Sequence, residues 1–117
     1  MDTIKSYCDL IVWQKGMELV VELYRYAELF PKSELYGLVS QMCRAAVAIP
    51  SNIAEGSRRR YPKERTQFFT IAYSSGAELE TQVELSKKLF PSIKHDRQRL
   101  ESLLDEVMRM LNKMTNN

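Results

Sequence analysis

The chain has 117 residues, 44% of them hydrophobic and 27% charged, with two cysteines and a net charge of +2. That length suits one domain with a single core that needs no disulfide or metal staple, and an ordinary composition with four Gly and four Pro excludes a disordered or fibrous chain. Cys8 and Cys43 stand in unrelated contexts, Met1-Asp-Thr-Ile-Lys-Ser6 is no basic-then-apolar leader, and no stretch reaches the roughly 20 apolar residues of a membrane span, so we expect a cytoplasmic protein without disulfides.

In chain order, the first helix is expected over about 11–29, with Asp9 as its cap and Phe30-Pro31 as its stop. It carries two adjacent apolar stripes. Trp13, Met17, Val20, Tyr24 and Ala27 form one, and Val12, Leu19, Leu23, Tyr26 and Phe30 the other, a width that one neighbouring helix does not cover. The second helix is expected over about 34–57, capped by Ser33. Pro50 falls inside it, removing one hydrogen bond at a cost of about 3 kcal/mol or more, so a kink is expected there; Ile53 and Ala54 continue the apolar pattern beyond it.

Tyr61-Pro62 opens a third helix over about 62–90, which Phe90-Pro91 closes. Phe69, Ala72, Gly76, Leu79, Val83, Ser86 and Phe90 recur at three and four, the seam of an antiparallel bundle, and Gly76 admits close approach of another helix. The fourth helix, over about 96–114, starts near Asp96 and turns Leu100, Leu103, Leu104, Val107, Met108, Leu111 and Met114 inward. Short connections between four helices imply an all-α, up-down-up-down four-helix bundle spanning residues 1–117 as one domain.

Charge is divided unevenly along this frame. Residues 58–65 and residues 87–99 each carry net +4, on a body that is otherwise acidic. Three successive arginines, Arg58, Arg59 and Arg60, beside Tyr61 and followed by Lys63 and Arg65, offer bidentate phosphate contacts, a stacking ring and the first turn of a helix. The alternative is a solvated turn. Repetition of such an end around an oligomer would add phosphate contacts.

Catalytic material is sparse. His95 is the one histidine, without the Glu-x-x-His pairs of a di-iron bundle, and is expected as an exposed turn residue. Cys43 shares a face with Val39, Ala46, Pro50 and Ile53, as a small buried hydrophobe would. Glu78, Glu80 and Glu84 resemble a solvated face, since Lys87 and Lys88 follow Glu84 at helical reach. Gly16, Gly37, Gly56 and Gly76 are isolated and form no phosphate loop. We therefore expect no enzyme, no metal and no cofactor.

On the second helix Leu38, Met42, Ala45, Ile49 and Ile53, widened by Val39, Cys43, Ala46 and Val47, leave Gln41, Arg44, Ser51, Asn52 and Glu55 as a polar stripe. That stripe is either ordinary surface or a hydrogen-bonding strip in a subunit interface; the wide apolar arcs favour the interface. A closed symmetric oligomer would repeat each basic end around its axis.

Leu10-Ile-Val-Trp-Gln-Lys15, Phe30-Pro-x-x-Glu34, Tyr36-Gly-Leu38, Arg44-Ala-Ala46, Ile49-Pro-Ser-Asn-Ile-Ala-Glu-Gly56 and Ser74-Ser-Gly-Ala-Glu-Leu-Glu80 together resemble the small four-helix proteins encoded in intervening sequences of bacterial 23S rRNA genes. The resemblance spans nearly the whole chain. It implies a ring-shaped homopentamer, sometimes labelled ribosomal-protein-like, and binding rather than catalysis. It also implies kinship with the accessory variability proteins of diversity-generating retroelements, basic pentamers that bind nucleic acid and partner a reverse transcriptase. Arg44, Asn52, Glu55 and Gly56 match the family's second-helix motif, implying a structural or interface role in which Gln41 joins them, and Arg58 matches a basic position after it. The nucleic-acid role of Arg59, Arg60, Lys63 and Arg65 rests on charge.

Three functions are thus in play. The first is a non-enzymatic oligomer binding RNA or DNA through its basic ends. The second is an interaction scaffold or accessory subunit for a polymerase or reverse transcriptase, and the third is an enzyme whose site is shared between subunits through Arg44 and Glu55.

Overall fold

The computed structural model describes residues 6–93 and 97–116. Among these the chain is all-α, with four α-helices and no strand: α1 (Ile11–Ala27), α2 (Leu38–Ser57), α3 (Pro62–Leu89) and α4 (Gln98–Thr115), plus 3₁₀ turns at Tyr7–Asp9 and Lys32–Glu34. α1 packs against α2 and α4, and α3 against the same two, so the four helices enclose one core in an envelope of 51 × 23 × 21 Å. No helix among the described residues is long and apolar enough to cross a membrane.

The two stripes of α1 separate only in part, since Ala27 of the first is buried and Trp13 and Val20 of the first pack half-buried against the core. Val12, Leu19, Leu23 and Tyr26, with Phe30 just beyond the helix, enter the core, whereas Met17 and Tyr24 of the other stripe stay exposed. They meet Met42, Ala46, Ile49 and Ile53 of α2, Leu79 and Val83 of α3, and Leu100, Val107 and Leu111 of α4. Leu19, Leu23, Ile49, Ile53, Leu79, Leu100 and Leu111 are fully buried, each stabilising the fold by about 1.5–3 kcal/mol relative to exposure.

Close approaches fix how the helices sit. A Cβ at Gly16 would stand 3.4 Å from the Pro50 Cβ, so α1 passes against the proline ring, and a Cβ at Gly76 would fall 2.2 Å from Met108 Sδ, so α4 occupies the space the glycine leaves. Tyr26 Oη lies 2.6 Å from Ser86 Oγ, tying the end of α1 to the end of α3. Ser86 Oγ also donates to the Val83 carbonyl at 2.6 Å, so both buried hydroxyls are satisfied.

Several expected features shift, and the first helix ends at Ala27 rather than 29, with Glu28 at its C-cap. The second helix begins at Leu38 rather than 34: Pro31 leads into a 3₁₀ turn, Ser33 caps nothing, and Gly37 at φ −111°, ψ −115° is neither helical nor extended, which ends that turn before α2 starts. Asp9 does not cap α1. It lies in the first 3₁₀ turn, and Leu10 occupies the N-cap position without a side-chain cap bond. Pro50 leaves α2 one unbroken helix, with its buried ring set against Gly16. Asp96, the expected start of the fourth helix, lies outside the described residues, and α4 follows an N-cap at Arg97.

Candidate nucleic-acid interface

α2 ends at Ser57 with Arg58 at its C-cap, and α3 starts a few residues later, where extended Tyr61 precedes Pro62 at the first helical position. The turn between them is held by Arg65. Its Nη1 donates to the Arg59 carbonyl at 3.0 Å and the Arg60 carbonyl at 3.1 Å, satisfying backbone groups that the tight turn strands. Arg65 is thus committed to the turn as well as charged. Arg59 is committed too, with Nη2 2.8 Å from Glu55 Oε2 and Cζ 4.6 Å from the Phe68 ring centre.

Arg58, Arg60 and Lys63 remain exposed, and none forms an ion pair among the described residues. The Arg58 guanidinium lies over Tyr7, 5.4 Å from the ring centre, so the N-terminal 3₁₀ turn belongs to this end of the molecule. Five candidate charges therefore divide into three facing solvent and two engaged in structure.

The second basic segment lies at the far end of α3, about 40 Å away by helix rise. Carboxylates neutralise much of it. Lys87 bridges Glu84 and Glu101, and Arg99 bridges Glu18 at 2.9 Å and Glu22 at 3.5 Å. The hydrogen bond from Lys87 holds the Glu84 carboxyl below its usual range, and bonds to Glu101 and then Glu84 raise the Lys87 ammonium. Arg97 donates to the Ile93 carbonyl at 3.0 Å, inside the fold. Lys94 and His95 lie outside the described residues. Sequence charge made the two segments equal, but the three-dimensional partners of Lys87 and Arg99 make them unequal.

The motif residues of α2 also part company. Gly56 is buried, and a Cβ there would stand 2.8 Å from Phe69 Cε1 and 3.0 Å from Phe68 Cβ, so its role is to let α3 approach. Asn52 bonds the Ala48 carbonyl at 2.8 Å, its own helix one turn back. Glu55 holds Arg59. Gln41 and Arg44 line a shallow polar cleft with Ser75 and Glu78 of α3, and Arg44 makes no ion pair among the described residues. Arg44 and Glu55 do not meet within the chain, and no group of three or more His, Cys, Asp or Glu able to hold a metal occurs among the described residues.

A model of the 23S rRNA-intervening sequence protein family matches residues 8–113, which run from the N-terminal 3₁₀ turn through all four helices. The chain belongs to that family. Among curated proteins, none matches it. On the outer side of α1, α2 and the connection between them, Tyr24, Leu35, Tyr36, Cys43 and Val47 form an apolar face above buried Val39, around a groove of about 690 Å³. Tyr36 is 93% exposed. Cys43 is half-buried there, and burial raises its thiol pKa, which keeps it protonated; Tyr24, beside it, is raised mainly by the charge Cys43 would carry. Tyr7 and Phe69 escaped the sequence reading as site residues. The signal available was Tyr7 three residues before an apolar helix start, which says nothing of which helix end it would meet.

Proposed function

We propose that this 23S rRNA-intervening sequence protein is a non-enzymatic, oligomeric, nucleic-acid-binding bundle that meets RNA or DNA at the α2–α3 end. The observation that carries this reading is the trio Arg58, Arg60 and Lys63, exposed without carboxylate partners beside Tyr61. Phosphates are matched by such guanidinium groups in bidentate fashion, and the N-terminal first turn of α3 favours an anion at the same place. The family's tie to an intervening sequence of 23S rRNA fits an RNA partner.

The helices run up-down-up-down in this reading, supported by the pairing of early α1 with late α2 at Gly16 and Pro50, and of the end of α2 with the start of α3 at Gly56 and Phe69. Assembly uses the apolar face of α1 and α2. A second copy fits it, because the neighbouring strip carries both Arg44 and Glu55 and is thereby self-complementary in charge. The resemblance to pentameric relatives sets the expected number at five, in the cytoplasm. A partner such as a polymerase or reverse transcriptase is the second reading, favoured by Tyr36, whose exposed ring projects beside that face.

Filter binding of a short RNA at rising salt tests the first reading. We expect tight binding at low salt and a steep fall with salt. Replacing Arg58, Arg60 and Lys63 by alanine is expected to make the slope shallower by about 0.9 for each duplex phosphate that these side chains neutralise in the parent. Unchanged binding by that triple variant would remove the α2–α3 end from the account.

A further inference from the structure

Where the N-terminal 3₁₀ turn crosses the α2–α3 connection, the end of the bundle is hollow. A groove of about 670 Å³ opens there, lined by Tyr7, Leu10, Arg58, Arg65, Phe69 and Met114. Its size lies within the ~300–1,000 Å³ of small-molecule sites. Among the described residues its charge is of one sign, since two guanidinium groups line it and no carboxylate does.

Both arginines keep donors in reserve. Arg65 spends Nη1 on the turn carbonyls, and no other N–H of its guanidinium has a partner among the described residues. Arg58 has its Cζ 5.4 Å from the Tyr7 ring centre and no ion pair among the described residues. The same groove is lined by a flat aromatic ring, Phe69, and a polarizable thioether, Met114, the pair of surfaces on which a planar ring packs well. Inorganic phosphate has no use for those surfaces, and an aliphatic chain has no use for two guanidinium groups. A ligand joining a phosphate to a flat heterocycle uses both.

We infer that this groove binds one nucleoside phosphate unit, its phosphate on Arg58 and Arg65 and its base against Phe69 and Met114. This rests on the nucleic-acid reading in sharing Arg58 with it, and it adds selectivity: an unstacked nucleotide enters, whereas a duplex only touches the rim. The unit comes either from a free nucleotide or from a single strand.

The protein carries its own reporter. Trp13 is the sole tryptophan, and its ring packs edge-on against Tyr7 with centres 5.3 Å apart. Titration with adenosine monophosphate, ribose 5-phosphate, a short single-stranded RNA and the same RNA as a duplex is followed by Trp13 fluorescence, with filter binding of the duplex in parallel. We expect a saturable change with adenosine monophosphate, the single strand or both, and binding at least about tenfold weaker for ribose 5-phosphate. A signal from the mononucleotide alone assigns a free nucleotide; a signal from the strand assigns a nucleotide within it. Arg58→Gln and Met114→Glu, the second placing a carboxylate in the groove near the end of α4, lower that affinity by about tenfold or more while helicity by circular dichroism holds. Equal affinity for ribose 5-phosphate, no saturable change, or folded Arg58→Gln and Met114→Glu variants binding like the parent would overturn the groove. Duplex binding that persists in such a case leaves the surface reading standing, and its loss sinks both.

Discussion

Tyr26 gathers more of the fold than any other single side chain. Its ring meets Phe30 edge-on with centres 5.0 Å apart, the Arg97 guanidinium lies 5.8 Å above it, and its hydroxyl bonds Ser86 inside the core. Replacing one partner of a buried hydrogen bond leaves the other to find a substitute, and Ser86 already has the Val83 carbonyl. Tyr26→Phe is therefore expected to cost about 1–2 kcal/mol in urea unfolding, and an unchanged midpoint would show that the bond is not holding α1 to α3. Gly56 makes the opposite kind of demand. A side chain there collides with the Phe69 ring and the Phe68 Cβ, so Gly56→Val is expected to lose about 1–3 kcal/mol by the same measurement. Periodicity placed Tyr26 and Ser86 on inward faces, but their pairing across 60 residues depends on helix register, which no local pattern states. The matching motif singled out Gly56 without revealing that an aromatic pair on α3 is its reason.

The α2–α3 turn shows how one element mixes structure with charge. Arg65 braces two carbonyls of the turn, whereas Arg58 packs over the Tyr7 ring and Arg60 and Lys63 brace nothing among the described residues. Arg65→Ala is accordingly expected to lower stability by about 1 kcal/mol in thermal or urea unfolding, an effect absent from Arg60→Ala. Equal stability of the two variants would return Arg65 to the purely solvated set. Helix positions were legible because α1, α3 and α4 carry long apolar periods, with Pro31 following the first and Pro62 and Pro91 bounding the third, and Ala72, Gly76, Leu79, Val83 and Ser86 of α3 and Leu100 to Leu111 of α4 are buried where that period put them. The start of α2 was not. Pro31 and Ser33 form an acceptable start signal, and what defeats it is the backbone of Gly37, set by the docking of the connection rather than by propensity. The basic segments show the same limit: a count along the chain cannot see Glu18, Glu22 and Glu101 arriving from other helices to neutralise Lys87 and Arg99.

At the scale of the whole molecule the exposed part of the α1 surface is what the proposed assembly would cover. The core takes the second stripe and Ala27 of the first, and leaves Met17 and Tyr24 of the first exposed together with Val21; Tyr24 lines one groove with Leu35, Tyr36 and Val47. Contiguous apolar surface of this kind marks an interface more often than bare solvent-facing skin, and the mixed-charge strip beside it suits a copy of itself. The proposed assembly through that face would leave the α2–α3 ends free and repeat them, multiplying phosphate contacts without any new residue. Mass in solution, measured by light scattering with and without a short RNA, tests assembly and binding together. The expected result is a species several times the 13.6 kDa chain that gains mass when RNA is added at low salt. A stable 13.6 kDa monomer whose mass RNA does not change would contradict it.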